Sequence, residues 1–454
     1  MIGLRVAIVG GGLAGITAAL ECADAGAEVT LYESRPSLGG ATFSVRKDDR
    51  WLDNGQHVAL RCCTAYRRLL QTLGTDHLLD LQPRLSIPVV AEGGRSATFA
   101  RTGLPAPLHL TKALLGFSHL SLADRLGAAR AVRALQRLDL DDARLDEIAF
   151  APWLREHGQS QRSIDVLWNL ITLPTLNLPA EEASLALGAF VFRVGVIDAS
   201  DACDLAVPRV PLRRLHGDAA LAALEARNVT VRLRTRVGKI RPVDDGLELD
   251  LRDGPAAFDR VIAAVPHQAA PALLPNGVVD AAALERLGTS AIVNVHLHFD
   301  RPVLDTPFLA AVDSPLQWLF DRTESSGVDR GQLVSISLSA ADGHLERTQE
   351  ELVTSSTAAL ERLLPSARGA GLLWSAVTRE PAATFRGAPG SARLRPPART
   401  HVPGLALAGA WTDTRWPATM ESAVRSGHEA AREVLSQPRP PRRNVDRGKE
   451  TVKA

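Results

Sequence analysis

Between Arg5 and Glu33 the chain reads Arg-Val-Ala-Ile-Val-Gly-Gly-Gly-Leu-Ala-Gly, then a helical stretch, then Glu-Val-Thr-Leu-Tyr-Glu. No other segment restricts the fold as strongly, because it specifies a strand, a glycine turn, a helix and a second strand ending in an acid. A parallel β-α-β unit is the expected product. Gly10 is placed to turn the chain sharply out of the strand Val6 to Val9, Gly12 to let backbone approach a pyrophosphate, and Gly15 to let the helix lie close to the sheet. Leu13 and Ala14 open that helix, whose N-terminal N–H groups are free to hold phosphate oxygens. Glu33 follows at about the 20-residue distance of an acid that accepts from ribose hydroxyls. Glycines at this spacing also occur in surface turns, but a turn does not bring both strands and the acid with it.

The residues after Glu33 specify the dinucleotide. They read Ser-Arg-Pro-Ser-Leu-Gly-Gly-Ala-Thr, and Gly39-Gly40 offers a second close approach of backbone to ligand. This extended pattern resembles the flavoproteins of the glutathione-reductase-like and amine-oxidase-like families. The resemblance implies FAD, with Ser34, Arg35, Gly39, Gly40 and Ala41 against its adenosine and flavin-proximal parts and Val237 completing the set.

At 454 residues the chain exceeds the size at which one core keeps growing, so two interleaved domains are expected. A formal net charge of +1 argues against electrostatic binding of nucleic acid. Cys22, Cys62, Cys63 and Cys203 show no metal-ligand spacing, which suits a reducing compartment and no metal site. Met1 to Val6 runs straight into the first strand, leaving no room for a signal peptide, and no stretch approaches 18 uninterrupted apolar residues. A cytoplasmic protein is expected, peripheral on the inner face of the membrane if it meets a membrane at all.

Along the chain, cofactor-like and substrate-like segments alternate. Residues 105–138 turn strongly helical and read as an inserted cap. The segment Pro211 to Ile240 pairs an Ala/Leu helix with extended runs, and Arg260 to Pro266 is an apolar strand. In 290–300 and 332–339, Val293, Val295, Leu297 and Phe299, and Val334, Ile336 and Leu338, fall on one strand face each. A last buried strand follows Pro403, then a long helix to about Leu435. The expected fold is α/β: a Rossmann-like FAD-binding domain of the glutathione-reductase type from 1–95, 206–270 and 396–437. It is interleaved with a mixed sheet-plus-helix substrate domain from 96–205 and 271–395. The proline-rich basic tail, 438–454, is expected to be disordered.

Three further pieces sharpen the resemblance: Leu52-Asp53-Asn54-Gly55-Gln56-His57, Leu173-Pro-Thr-Leu-Asn177-Leu-Pro, and the run Gly409-Ala-Trp-Thr-Asp-Thr-Arg-Trp-Pro-Ala-Thr-Met through Gly427. They are similar to the phytoene-desaturase and amine-oxidase superfamily and, within it, resemble most the hydroxysqualene dehydroxylases. The match spans nearly the whole chain. It implies that Gly409 ends a strand beside the cofactor and that the N–H near Met420 faces the N1/C2=O edge of the flavin. A helix N-terminus there favours the negative charge of the reduced ring, by about 0.3–1 kcal/mol when exposed. Three positions depart from the family pattern: Ala410 stands where an aspartate is usual, and Arg415 and Ser422 where glycines are usual. In amine oxidases of the superfamily a substrate-domain strand carries a lysine; Asn294 stands in its place, which disfavours their oxygen chemistry.

The dehydroxylase resemblance implies that an allylic hydroxyl leaves as water while a hydride is delivered to carbon. Hydroxide leaves poorly without a proton, so a general acid is needed, and His57 and Asp53 are the candidates. A turn histidine bonded to backbone is an equally good reading of His57. Trp411 and Trp416 are placed to line the pocket with aromatic faces, unless they are simply core. His296 and His298 alternate on the polar side of a strand and read as solvated or pocket-lining. The expected partners are an apolar isoprenoid substrate, an external electron donor and a membrane surface reached through 105–138, where Leu114, Leu115, Phe117, Leu120 and Leu122 lie among basic residues. Those side chains equally suit a roof over the substrate cavity. Carotenoid desaturation is the alternative activity; amine oxidation and non-catalytic prenyl-lipid binding also share this architecture.

Overall fold

The computed structural model describes residues 3–438, so the expected disordered tail lies outside the described residues from 439 onward. The strands that matter here are β1 (Arg5–Val9), β2 (Glu28–Tyr32), β3 (Ser86–Ala91), β4 (Ser96–Ala100), β5 (Thr230–Arg232) and β6 (Arg260–Ala263). They continue with β7 (Thr289–Phe299), β8 (Phe308–Val312), β9 (Trp318–Asp321), β10 (Gln332–Leu338), β11 (Leu372–Phe385) and β12 (Leu405–Leu407). Four helices frame them: α1 (Leu13–Asp24), α2 (Thr64–Leu73), α3 (Leu122–Leu135) and α4 (Met420–Ser436).

A parallel sheet in the order β5-β2-β1-β6-β12 collects strands from both ends and the middle of the chain. Its inner strands β1 and β6 are buried on both faces, as a covered parallel sheet requires, while the edge strand β5 is exposed. Val6, Ile8, Ile262 and Ala406 pack under α1 and α4, while Ala7, Val9, Val261, Leu405 and Leu407 pack on the opposite side. The helices α1 and α4 are pressed together at Gly427, where a Cβ would collide with the Ala14 carbonyl. Glu421, in the first turn of α4, sends its carboxylate to the N–H groups of Ala65 (3.1 Å) and Tyr66 (2.8 Å), capping α2.

A second sheet of seven strands runs β11-β7-β10-β9-β8-β3-β4, antiparallel except where β8 meets β3. The hairpin of β3 and β4 belongs to this sheet, so the chain crosses into it before residue 95, earlier than composition suggested. The alternation read in β7 and β10 is realised directly: Val293 opposes Leu338, Val295 opposes Ile336 and Leu297 opposes Val334, all in one apolar core. The other face of β7 is polar yet enclosed. His296 and His298 are buried there, not solvated: His296 Nδ1 meets Ser335 Oγ at 2.7 Å, and His298 Nε2 meets the Arg330 carbonyl at 2.8 Å.

The inserted segment forms short helices and α3, which Ser121 and Asp124 open with reciprocal capping bonds. Its apolar residues divide differently from the sequence expectation. Phe117 and Leu120 are buried, whereas Leu104, Leu108, Leu115, Leu122 and Leu126 are each at least half exposed.

Candidate active site

The dinucleotide loop closes on itself through glycine. Gly39 donates its N–H to the Gly11 carbonyl at 2.8 Å, and Gly40, at φ 59°, brings its backbone so near that a Cβ would stand 2.6 Å from Gly12 Cα. An alanine is therefore excluded there on both conformational and steric grounds. Gly12 is the N-cap of α1 and supplies no side-chain cap; the first turn, from Leu13 and Ala14, carries no acid. The terminal N–H groups are thus left to an external anion. Glu33 is buried beside them, its carboxylate accepting from Gly11 N–H and Arg35 N–H, each at 2.7 Å, and from Ser34 Oγ at 3.2 Å. Arg35 in turn donates to the Gly40 carbonyl at 3.1 Å. Across the sheet edge, neither the N–H nor the C=O of Val237 has a hydrogen-bond partner among the described residues. A glycine-walled cradle at an uncapped helix, an acid at its mouth and an unpaired peptide nearby fit pyrophosphate, ribose and adenine.

The second helix end also points inward. Thr419 Oγ1 caps α4 by accepting from Ser422 N–H at 3.2 Å, leaving the N–H of Met420 without a partner among the described residues. Before it, the loop after Gly409 is held by a residue the sequence did not single out. Arg395 donates from Nη2 to the carbonyls of Thr412 (2.5 Å) and Ala410 (3.3 Å), and its guanidinium lies 4.7 Å from the Phe385 ring centroid. Burial lowers its basicity to about 10. Two positions noted in the sequence are built into this loop: Ser422 Oγ donates to the Ala410 carbonyl at 3.2 Å, and Arg415 adopts φ 64°, a left-handed conformation that favours glycine. Arg415 compensates with an ion pair to Asp141, just after the inserted segment.

Beside β9 of the seven-stranded sheet, a narrow cleft is lined by Asp53, Gln56, His57, Val58, Val207, Pro208, Phe320 and Arg322. The structure brings both expected acids here, and gives neither the environment of a proton donor. Asp53 is enclosed, with Oδ1 accepting from Ser44 Oγ (2.6 Å) and Leu212 N–H (3.0 Å) and Oδ2 accepting from Arg322 (2.8 Å). A carboxylate so fully paired is structural. His57 lines the cleft with Nδ1 at 3.1 Å from the Gly55 carbonyl, and burial pushes its pKa below the ordinary histidine value. A neutral imidazole orients a hydroxyl better than it protonates one.

The tryptophans also separate. Trp411 is core, its Nε1 donating to the Val265 carbonyl at 2.8 Å, so it does not line a pocket. Trp416 is half-buried, edge-to-face with Phe190 at 5.1 Å and covered by Arg425 at 4.9 Å. Above the cleft, Asn294 Nδ2 and Thr378 Oγ1 both donate to the Asn54 carbonyl, at 3.0 and 3.2 Å, fixing the 53–57 loop against β7 and β11. No group of His, Cys, Asp and Glu among the described residues is arranged to hold a metal.

The profile of the family described as "Flavin containing amine oxidoreductase" matches residues 13–435. The chain belongs to that family. It is 30% identical over 458 residues to a hydroxysqualene dehydroxylase of Sinorhizobium fredii, covering 95% of this chain and 99% of that protein. It is 28% identical over 479 residues to a probable zeta-carotene desaturase of Synechococcus elongatus, covering 95% and 98%. Among solved structures, putrescine oxidase bound to putrescine superposes with a TM-score of 0.70 at 20% identity, over 96% of this chain and all of that one, a likeness of fold. The enzyme is therefore an FAD-dependent oxidoreductase of the amine-oxidase and carotenoid-desaturase superfamily.

Proposed function

We propose that this flavoenzyme reduces an allylic alcohol of the hydroxysqualene type to squalene, with loss of water. The observation that carries the reading is unspent hydrogen-bonding capacity beside the 53–57 loop. Asn294 Oδ1 and Gln56 Nε2 are enclosed and have no hydrogen-bond partner among the described residues. An enclosed polar atom without a partner costs about 1–3 kcal/mol, so a ligand that brings an oxygen is favoured over a pure hydrocarbon. FAD supplies the hydride chemistry when bound, held by Gly10, Gly12, Leu13, Ala14, Gly15, Glu33, Ser34, Arg35, Gly39, Gly40, Ala41, Val237, Gly409 and Met420. The neutral His57 orients the substrate oxygen, Asp53 and Arg322 hold the loop that carries it, and Trp416 offers an aromatic face to developing cationic character. An external donor must supply the electrons.

The similarity to zeta-carotene desaturases supports the second reading, desaturation of a carotene. One assay separates the two. With chemically reduced flavin, anaerobically and in deuterated water, hydroxysqualene should give squalene carrying deuterium at the carbon that bore the hydroxyl. Desaturation of a carotene with hydroxysqualene untouched would overturn the proposal in favour of the second reading.

Substrates of either kind reside in lipid, since each CH2 removed from water contributes about 0.8 kcal/mol. The exposed leucines of 104–126, with Lys112, Arg130, Arg133 and Arg137 also exposed nearby, are the surface by which the enzyme collects them. No helix among the described residues is long and apolar enough to cross a membrane.

A further inference from the structure

Against the loop that joins β12 to α4 lies an enclosed cation whose partners carry no charge. Arg395 donates from Nε to the Trp411 carbonyl at 3.4 Å, and from Nη2 to the carbonyls of Thr412 (2.5 Å) and Ala410 (3.3 Å) and to Thr414 Oγ1 (3.3 Å). It is buried and makes no ion pair among the described residues. The carboxylates whose fields reach it are Asp413, Asp146 and Glu429. Asp146 is spent on Ser184 Oγ and the Ala392 N–H, each at 2.8 Å, while Asp413 is exposed and Glu429 half-buried.

These bonds decide which way the other groups of the loop face. In a planar trans peptide the C=O and the N–H of the next residue point in opposite directions. Holding the Ala410 carbonyl to Arg395 therefore turns the Trp411 N–H away from the guanidinium. The Gly409 carbonyl accepts from the N–H and the hydroxyl of Thr412, each at 3.0 Å, so the Ala410 N–H faces away from that turn. Neither N–H has a hydrogen-bond partner among the described residues, although Trp411 is only 4% exposed. An enclosed N–H is rarely left unpaired, and this one calls for an acceptor from outside the chain. Ser422 Oγ, 2.6 Å from Thr414 Oγ1 and 3.2 Å from the Ala410 carbonyl, ties the same loop to the first turn of α4, where the Met420 N–H is also free.

We infer that Arg395 is a positioning residue of the flavin site: it holds 409–414 so that the free N–H groups of Ala410, Trp411 and Met420 face the cofactor, and it stands behind them as a permanent positive charge. The inference rests on the placement of FAD against Gly409 and Met420 in the proposed function, and not on which substrate is used. Burial leaves Arg395 protonated at neutral pH, since its pKa falls only to about 10. A fixed cation near a ring that gains electrons favours the reduced form over the oxidised one, and neutral carbonyl partners leave that charge uncancelled. Arginine suits both tasks, because its planar fork bonds several carbonyls at once where lysine offers a point charge. The Phe385 ring, its centroid 4.7 Å from the guanidinium, closes the other side.

The test compares the holoenzyme with Arg395→Gln, Arg395→Lys and Met420→Pro, reading flavin content and the flavin reduction potential by dye equilibration. In Arg395→Gln the affinity for reduced FAD relative to oxidised FAD should fall by about tenfold, a potential lower by about 30 mV for a two-electron couple. Arg395→Lys keeps the charge but cannot hold the three carbonyls, so its potential should stay near the wild-type value while FAD dissociates about tenfold more readily. An unmoved potential in Arg395→Gln overturns the inference. FAD held by Arg395→Lys as tightly as by the wild type overturns it as well, and decides the matter where Arg395→Gln does not fold. Proline is favoured at the first helical position, so Met420→Pro keeps α4 while putting a ring carbon where the N–H was. That variant should lose FAD; if it keeps the wild-type flavin content, the placement of FAD against Met420 fails and this inference with it.

Discussion

Arg322 and Asp53, 269 positions apart in the chain, meet in an enclosed ion pair with Nη2 2.8 Å from Oδ2. The pair ties the seven-stranded sheet to the hairpin 44–53 at the cleft, and Arg322, directly after β9, also donates from Nη1 to the Pro208 carbonyl at 2.7 Å. Removing one partner leaves a buried charge alone, which costs about 3–5 kcal/mol. Arg322→Met should therefore lower the unfolding free energy, measured by urea denaturation, by that amount. The double variant Asp53→Leu, Arg322→Met should recover much of it, because an apolar pair leaves no unpaired charge. A loss in the double variant equal to the sum of the losses in Asp53→Leu and Arg322→Met would show that the pair does not couple.

The cofactor loop allows a cleaner separation of folding from binding. A Cβ on Gly12 would meet only Gly40 Cα at 3.5 Å, an ordinary contact, so a larger side chain there intrudes on the phosphate cradle more than on the fold. Gly12→Val should purify with a normal far-ultraviolet circular dichroism spectrum and without yellow colour. Normal flavin content in that variant would show that the cradle is not where the pyrophosphate binds.

What the sequence disclosed, and what it withheld, follows from how far apart the interacting residues lie. The glycine loop and Glu33 were legible because their spacing is local, and β7 and β10 because a half-buried strand alternates with period two. The strand β11 was less legible, because its run Thr-Arg-Glu-Pro interrupts any alternation. Pro381 is tolerated because β11 is an edge strand with a bulge against Ser290 and Ile292. Arg322 and Arg395 were invisible for a different reason: their partners are a distant carboxylate and backbone carbonyls, which leave no pattern in a linear chain. The roles expected of Asp53 and Trp411 changed for the same cause, since only the fold reveals Arg322 beside the one and Val265 above the other.

Acid should destabilise this protein through specific histidines. His216 and His296 are fully enclosed, and burial lowers each pKa to about 3. Because the folded values are depressed, the unfolded chain binds these protons first. The contribution is whole above the unfolded value of about 6.5 and is lost as pH falls from there towards 3. At pH 5 each histidine should have cost about 2 kcal/mol. Urea unfolding at pH 7 and pH 5 measures the slope, and His296→Gln should flatten it by about half of the pair's share. An unchanged slope would place the acid sensitivity in the carboxylates instead.

The inserted segment makes the last prediction, and the structure changes which residues carry it. Phe117 and Leu120 belong to the core beneath, so substituting them would unfold the segment whether or not it meets lipid. The residues that face outward are Leu104, Leu108, Leu115, Leu122 and Leu126, half the large apolar side chains exposed on the described surface. Basic neighbours give that surface an electrostatic preference for anionic lipid, which salt weakens. Wild-type enzyme should co-sediment with liposomes containing phosphatidylglycerol, less so at high salt. Leu115→Glu with Leu122→Glu should stay in the supernatant while keeping its flavin and its thermal midpoint, because exposed positions tolerate charge. If wild type and variant pellet alike, or neither pellets, the segment is not a membrane surface, and a carrier protein must deliver the substrate.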